Sequence, residues 1–431
     1  MKIVKTLSTL ILLVAISVTT VWGQNQMSPY SKYGYGMLND YAMGAQRAMG
    51  GVGIAQNHSR QINAMNPASY AAMDSLTFLF DFGLSMVNLK ATETTSSGTQ
   101  NKAKGTGGGL DYIAMQFPII NKYLAGSIGL VPYTSVGYSF GSKLQHGTST
   151  YEGYGGFNEI YLGLGARPFK NFYIGFNIGY MWGLQVNDIY AVSNISTTSL
   201  MEDYMRVRDW HLNVGVQYDI NINRKNKLTL GVTWQPGKKM HGTVWAIKYD
   251  VNQDTKPDTT FYGKINHSIS YKGRNIDLKY SMPHIFNFGI AYKYDDRLTA
   301  EIDYQFAKWS KADFTSVDFQ DNNSYFTDRQ KIAVGASYRV NPRGNWIKRV
   351  HWRIGGHYTK DYIQLDGNRL REYGLSFGFG LPLPATKTII NLGFQWINRT
   401  TQPVEKVKEN YFNITLGINF NEMWFWKNKI Q

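Results

Sequence analysis

The sequence predicts an all-β protein, a 14-stranded antiparallel transmembrane β-barrel with a small N-terminal plug (hatch) segment. Three observations predict it. In the closing segment YFNITLGINF, Phe412, Ile414, Leu416, Ile418 and Phe420 share one face, while Asn413, Thr415, Gly417 and Asn419 share the other. That period of two belongs to a strand with one apolar and one wet side, and it recurs about a dozen times after residue 75. No stretch beyond the first residues approaches the ~18 uninterrupted apolar residues of a membrane helix, which leaves strands to do the crossing. The composition, 43 Gly, 30 Tyr, 22 Phe and 11 Trp against only 12 Pro, suits aromatic girdles and a glycine-tolerant lumen better than a soluble core.

The elements follow in order. Residues 1–23 read as an export signal: Lys2 and Lys5 are the basic start, Leu7 to Val18 is the apolar run, and Gly23 precedes the expected cleavage point. Residues 24–73 do not alternate. They are rich in Gly, Ala and Met, weakly helical around Tyr41 to Ala55, and read as a compact plug that small residues allow to pack closely, or as a plain N-terminal extension. From 74 to 420 tight polar turns alternate with longer polar connections. Short turns are expected near Asn121-Lys122, Lys170-Asn171, Arg224 to Asn226, Asp295-Asp296, Asn341 to Asn345 and Pro382 to Thr386. Long loops are expected near 90–108, 141–156, 190–206, 236–283, 310–328, 361–370 and 399–409. The strand-like stretch 260–272 is placed as a hairpin arm inside the longest loop, because single-chain bacterial barrels have an even strand number. The last strand is expected to close against the first near residues 75–89, leaving 421–431 as an aromatic and basic tail.

Facing agrees with a lipid exterior. Phe286, Phe288, Ile290, Tyr292 and Tyr294 share a side opposite Asn287, Gly289, Ala291 and Lys293. Trp352, Ile354 and Tyr358 oppose His351, Arg353 and His357. Charges fall on the inward face, as the cost of facing lipid requires.

The formal charge of +15 is not gathered into a basic helix or an aromatic nucleic-acid motif, so no nucleic acid is expected as partner. A rim facing outer-membrane lipid and lipopolysaccharide is the expected sink for it. The chain contains no cysteine, which excludes disulfides, thiolate metal sites and cysteine nucleophiles. His351 and His357 share a face but lie roughly 20 Å apart along a strand, too far for one ion. His58-Ser59 and His267-Ser268 lack a companion acid at a meaningful position. GTGGGL at 105–110 lacks a following Lys-Ser/Thr and reads as a loop-to-strand entry. No enzyme activity, cofactor or metal is expected.

Two constellations stand out. Pro132, between Val131 and Tyr133 inside AGSIGLVPYTSVGYSF, cannot donate a ladder hydrogen bond and marks an edge, bulge or break. Glu301, Asp303, Arg339 and Arg353 should point inward near the periplasmic end, pairing with one another or seating the plug through Arg47.

The plug element Asn66-Pro67-Ala68, the run Pro283 to Ser310 with Asp303, Tyr304 and Trp309, and RQKIAVGASYRV, HWRIGGHY and YGLSFGFGLPLP together resemble the FadL/TodX family of outer-membrane transporters. The resemblance implies passive uptake of a hydrophobic small-molecule ligand through the lumen of a barrel in the bacterial outer membrane. It also implies a lateral gap at Val131, Pro132 and Tyr133; a bulge at the rim is the alternative there. The mature start QMSPYSKYGYGML and the tail NEMWFWKNKI resemble the Bacteroidota-type members, some of which are accessory parts of secretion or barrel-assembly complexes. In the tail, Trp424, Phe425 and Trp426 are expected to form a membrane-interface anchor or a partner contact.

Overall fold

The computed structural model describes residues 27–74, 76–94, 99–144, 147–193, 199–250, 259–271, 274–315, 324–384 and 386–423. The expected export signal and the expected anchor Trp424, Phe425 and Trp426 lie outside the described residues. Fourteen strands form the wall: β1 Thr77–Thr94, β2 Gln100–Ile120, β3 in two pieces Leu124–Pro132 and Thr134–Leu144, β4 Gly147–Phe169, β5 Phe172–Ser193, β6 Ser199–Asn221, β7 Asn226–Gln235, β8 Ile285–Tyr294, β9 Leu298–Ala307, β10 Arg329–Tyr338, β11 His351–Leu365, β12 Asn368–Pro382, β13 Ile389–Gln402 and β14 Val407–Met423. Each pairs antiparallel with its neighbours in sequence. The wall closes where β1 runs against β14, from Thr77 opposite Met423 to Glu93 opposite Val407. Closure leaves no edge for lipid to meet there, and lipid tolerates none.

The alternation read from the sequence is the alternation of the wall. Leu84, Met86, Phe288, Ile290, Ile302, Val334, Ile354, Leu375, Trp396 and Phe412 are exposed on the outside, while Asn413, Thr415 and Asn419 are buried within. Most of the expected long loops are instead paired strand. β1 and β2 stay in register out to Thr94 opposite Gln100, so GTGGGL lies inside β2, with Leu110 opposite Leu84 and Gly105 opposite Leu89. β4 and β5 likewise pair out to Gly147 opposite Ser193. Above the lipid band both faces of a strand are wet, so alternation fades while the backbone ladder continues.

The stretch 361–370 contracts to a turn at Asp366-Gly367, with Leu365 opposite Asn368. The turn expected at 341–345 is a wider connection containing the helical turn Trp346–Arg349. The longest connection, between β7 and β8, carries the hairpin Gly242–Asp250 with Thr259–Lys264, which extends the wall from β6. Residues 421–423, expected in the tail, continue β14: Asn421 is buried opposite Leu79.

The N-terminal segment runs through the lumen. It contains a short helical turn Gly44–Arg47 and a tight helical stretch Pro67–Ala72, with irregular chain between them where a longer weak helix was expected.

Candidate functional site

Whatever the lumen does is decided by how residues 27–74 sit in it. Asn66 caps the Pro67–Ala72 turn, its side-chain oxygen accepting from the Ala68 N–H at 3.1 Å. Its amide donates to the carbonyl of Ile54 at 2.7 Å, tying two parts of the segment together. The wall beneath is glycine. A Cβ at Gly165 would lie 2.6 Å from the Pro67 oxygen, and one at Gly175 would lie 2.5 Å from the Pro67 carbonyl carbon. The Asn66-Pro67-Ala68 turn therefore rests on backbone, a close approach that only glycine allows.

Glu301 and Asp303, on the inward face of β9, hold the next stretch. Asp303 Oδ2 accepts from the N–H groups of Gly53 at 2.7 Å and Ile54 at 3.1 Å, and Glu301 Oε1 accepts from Ala55 at 2.7 Å. Three consecutive backbone donors thus find two carboxylates, which answers the need of buried N–H groups for partners.

The other three members of the expected charge cluster do not join them. Arg47 pairs with Asp111 at 2.9 Å. Arg353 is buried and donates to Asn391 at 2.7 Å. Arg339 lies beyond the end of β10 and donates to the Asp296 carbonyl at the neighbouring short turn. The three arginines stay apart from the two carboxylates because each meets another acceptor: Asp111, Asn391 or the Asp296 carbonyl.

Nearer the outer end, Asp40 of the segment meets Lys331 and Arg329 of β10. Burial opposes ionisation of Asp40, but the two cations prevail and hold its carboxyl down at about 2. Ser28 donates to Glu409 at 2.7 Å, and Tyr411 donates to the Met27 carbonyl at 2.8 Å. Glu409 also faces Arg399, which pairs in turn with Glu372, a partner of His357. Above this level the outer lumen is an apolar core. Trp309 stacks on Tyr362 with ring centroids 4.4 Å apart, and Tyr35, Phe314 and Phe326 pack edge-on or tilted around them.

At Pro132 the wall parts. The β2–β3 ladder ends toward the outside at Ile113 opposite Leu130. β3 keeps its pairing with β4 across a bulge, since Pro132 lies opposite Asn158 and pairing resumes at Val136 opposite Gly155. Val131 and Tyr133 point inward and are buried. The edge that β2 abandons is taken by the N-terminal segment. Met37 and Leu38 pair with Ser135 and Thr134, the Asn39 N–H donates to the Tyr133 carbonyl at 3.0 Å, and the Ser28 N–H donates to the Gly137 carbonyl at 2.7 Å.

Beside that edge lies a lumen pocket of about 60 Å³ between Asp40, Tyr41, Asn213, Gln235, Asn287 and Gln305. Tyr41 donates to Glu159, which also faces His211 Nε2 at 3.2 Å. Sequence reasoning missed Glu159 and His211, whose only signal was a polar residue on the inward face of two strands. Among the described residues no three His, Asp or Glu side chains converge as a metal site would require.

Comparison with solved structures places the wall among known barrels. A FadL homologue of Pseudomonas aeruginosa superposes with a TM-score of 0.61 at 12% identity, over 89% of this chain and 99% of that one. The toluene transporter TodX of P. putida gives 0.59 at 14%, over 90% and 100%, and the toluene transporter TbuX of Ralstonia pickettii gives 0.55 at 14%, over 89% and 99%. At such identities the likeness is one of fold: a FadL-like barrel of the bacterial outer membrane. A search of curated proteins finds no match to this chain. The family model of BamG matches residues 3–431, and the chain belongs to that family.

Proposed function

We propose that this barrel is a non-transporting accessory or structural component of a multi-protein outer-membrane complex, working through its loops and rims. The observation that carries the reading is the filled lumen. Residues 27–74 occupy the barrel, an aromatic core closes its outer half, and the lumen pocket beside them among the described residues is about 60 Å³. A ligand site ordinarily offers roughly 300–1,000 Å³. Membership of the BamG family over nearly the whole chain is compatible with this reading.

A second reading, passive uptake of a hydrophobic small molecule, is favoured by one observation, the parting of β2 from β3 at Pro132. It requires residues 28–39 to leave the β3 edge and the Trp309–Tyr362 core to open. The plug element, the gap at Val131 to Tyr133 and plug movement acquire a transport role only under this reading.

Isolation of the native protein in mild detergent, followed by protein and lipid mass spectrometry, tests the two. Stoichiometric partner proteins are the expected result. A hydrophobic small molecule bound within the barrel, with no partner protein, would overturn the accessory assignment.

A further inference from the structure

We propose that the outer wall of strands β9 to β13 carries a seat for a phosphorylated, multiply acylated lipid of the outer leaflet, the lipid A portion of lipopolysaccharide.

The acyl part of the seat is a bay of about 900 Å³ on the lipid-facing side. Its floor is made by small residues at outward positions, Ala300, Ala336 and Gly356, and its sides by Ile302, Leu375 and Trp396. Ala300 lies directly opposite Ala336, and Gly356 lies diagonally from Ala336 on the next strand, two residues beyond its partner Ile354. Bulky aliphatic and aromatic residues cover most of the rest of the outer surface. A dent of this size therefore exposes more apolar wall than a flat cylinder and accepts hydrocarbon chains rather than water.

The phosphate part lies above it. Two residues beyond Gly356, Tyr358 pairs with Tyr373, their rings 4.9 Å apart, at the level where aromatic girdles meet headgroups. Two residues further, roughly 13 Å from Gly356 along the strand, Lys360 stands directly opposite Arg371. This is the end of the wall that bears the longest connection, the outward-facing end of such barrels. Like charges directly opposite each other repel, and a counter-anion relieves them. The same rung holds two buried polar atoms with no hydrogen-bond partner among the described residues, Arg371 Nε and Thr400 Oγ1, and Thr400 lies opposite Arg371 on β13. A phosphate oxygen supplies acceptors for the guanidinium, the ammonium and the hydroxyl together, and arginine is suited to it geometrically.

The test uses the full chain purified in mild detergent, stripped of lipid, and titrated with lipid A under native mass spectrometry. Parallel titrations use dephosphorylated lipid A and phosphatidylglycerol. The unmodified protein is expected to retain one lipid A in preference to both. Lys360→Glu with Arg371→Glu should weaken retention by at least about ten-fold, the loss expected when charge-assisted bonds become repulsive. Ala336→Trp, which fills the bay and leaves both cations in place, should weaken it similarly. A heat-dependent shift on gels identifies each variant as a closed barrel. Equal retention by the protein and both variants overturns the proposal, and so does equal retention of dephosphorylated lipid A or of phosphatidylglycerol. Loss of a co-purifying polypeptide in both variants, with lipid A retention unchanged, assigns the bay to a protein partner and overturns it as well.

Discussion

Asp303 accepts the backbone N–H of Gly53 at 2.7 Å, and through it β9 holds the N-terminal segment by main chain rather than by side chain. The same oxygen takes the Ile54 N–H, so one carboxylate satisfies two buried donors. Replacing Asp303 with Ala strands both and should weaken the seating of residues 47–56 by about 3 kcal/mol, the scale of losing hydrogen bonds to a charged acceptor inside a protein. Amide exchange at Gly53 and Ile54 in detergent should accelerate while the wall strands stay protected. Unchanged protection at those two amides would falsify the assignment.

The glycine seat makes a sharper steric prediction. A Cβ at Gly175 would lie 2.5 Å from the carbonyl carbon of Pro67 and 2.7 Å from the Ala68 nitrogen, both main-chain atoms that cannot swing aside. Gly175→Val should lift the Asn66–Ala68 turn from the wall at a cost of about 1–3 kcal/mol, the usual penalty of overpacking. Limited proteolysis should then cut between residues 56 and 73 in a barrel that still shows its heat-dependent gel shift. Resistance to cleavage equal to that of the unmodified protein would count against the seat.

The wall was legible because lipid enforces it. Phe412 to Phe420 had to alternate with Asn413 to Asn419, and strand number followed from turn chemistry together with the even-number rule. Legibility stopped where lipid stops. Lys102, Lys104 and Gly105 to Gly109 alternate nothing, yet they pair with β1 as fully as the membrane-embedded residues do. The site was legible in fragments. Glu301 and Asp303 stood out as inward charges, but their partners are the N–H groups of Gly53 to Ala55, which leave no side-chain signature. Arg47 was aimed at the wrong acids. Its partner Asp111 falls at an irregularity of the β1–β2 ladder, between Gly83 and Leu84, where the facing of β2 shifts by one residue. A rule of strict alternation cannot anticipate that shift.

The pairing of Asp40 with Lys331 and Arg329 makes seating of the segment depend on acid. The carboxyl is held at about 2 in the folded protein, below its ordinary value of 3.8. A depressed folded value means that the contribution is fully present above the ordinary value and is lost as pH falls through the folded one. Residues near Asp40 should therefore loosen progressively between about pH 4 and pH 2. In Lys331→Met this acid step should shrink and be complete at higher pH, because one of the two cations that depress the folded value is gone. Fluorescence of a probe placed at Asn39, followed through acid titration, reads the difference. Identical titrations for the two proteins would remove Lys331 from the account.

Leu38 and Thr134 face each other across the edge that β2 leaves, which allows the two functional readings to be separated covalently. Opposed residues of antiparallel strands have Cα atoms about 4.5–5.5 Å apart, within the range a disulfide spans. The chain has no cysteine, so in Leu38→Cys with Thr134→Cys any disulfide within one chain is the intended one. Oxidation should crosslink the pair nearly completely, since the two positions are already juxtaposed. A barrel whose lumen is permanently filled has no need to release this edge, so recovery of partner proteins from cells should be equal with the bond formed or reduced. Uptake through the gap predicts the opposite behaviour: a hydrophobic probe would enter cells carrying the reduced protein and be excluded when it is oxidised. Reversible, redox-dependent entry of that kind would overturn the accessory assignment even if partners were also captured.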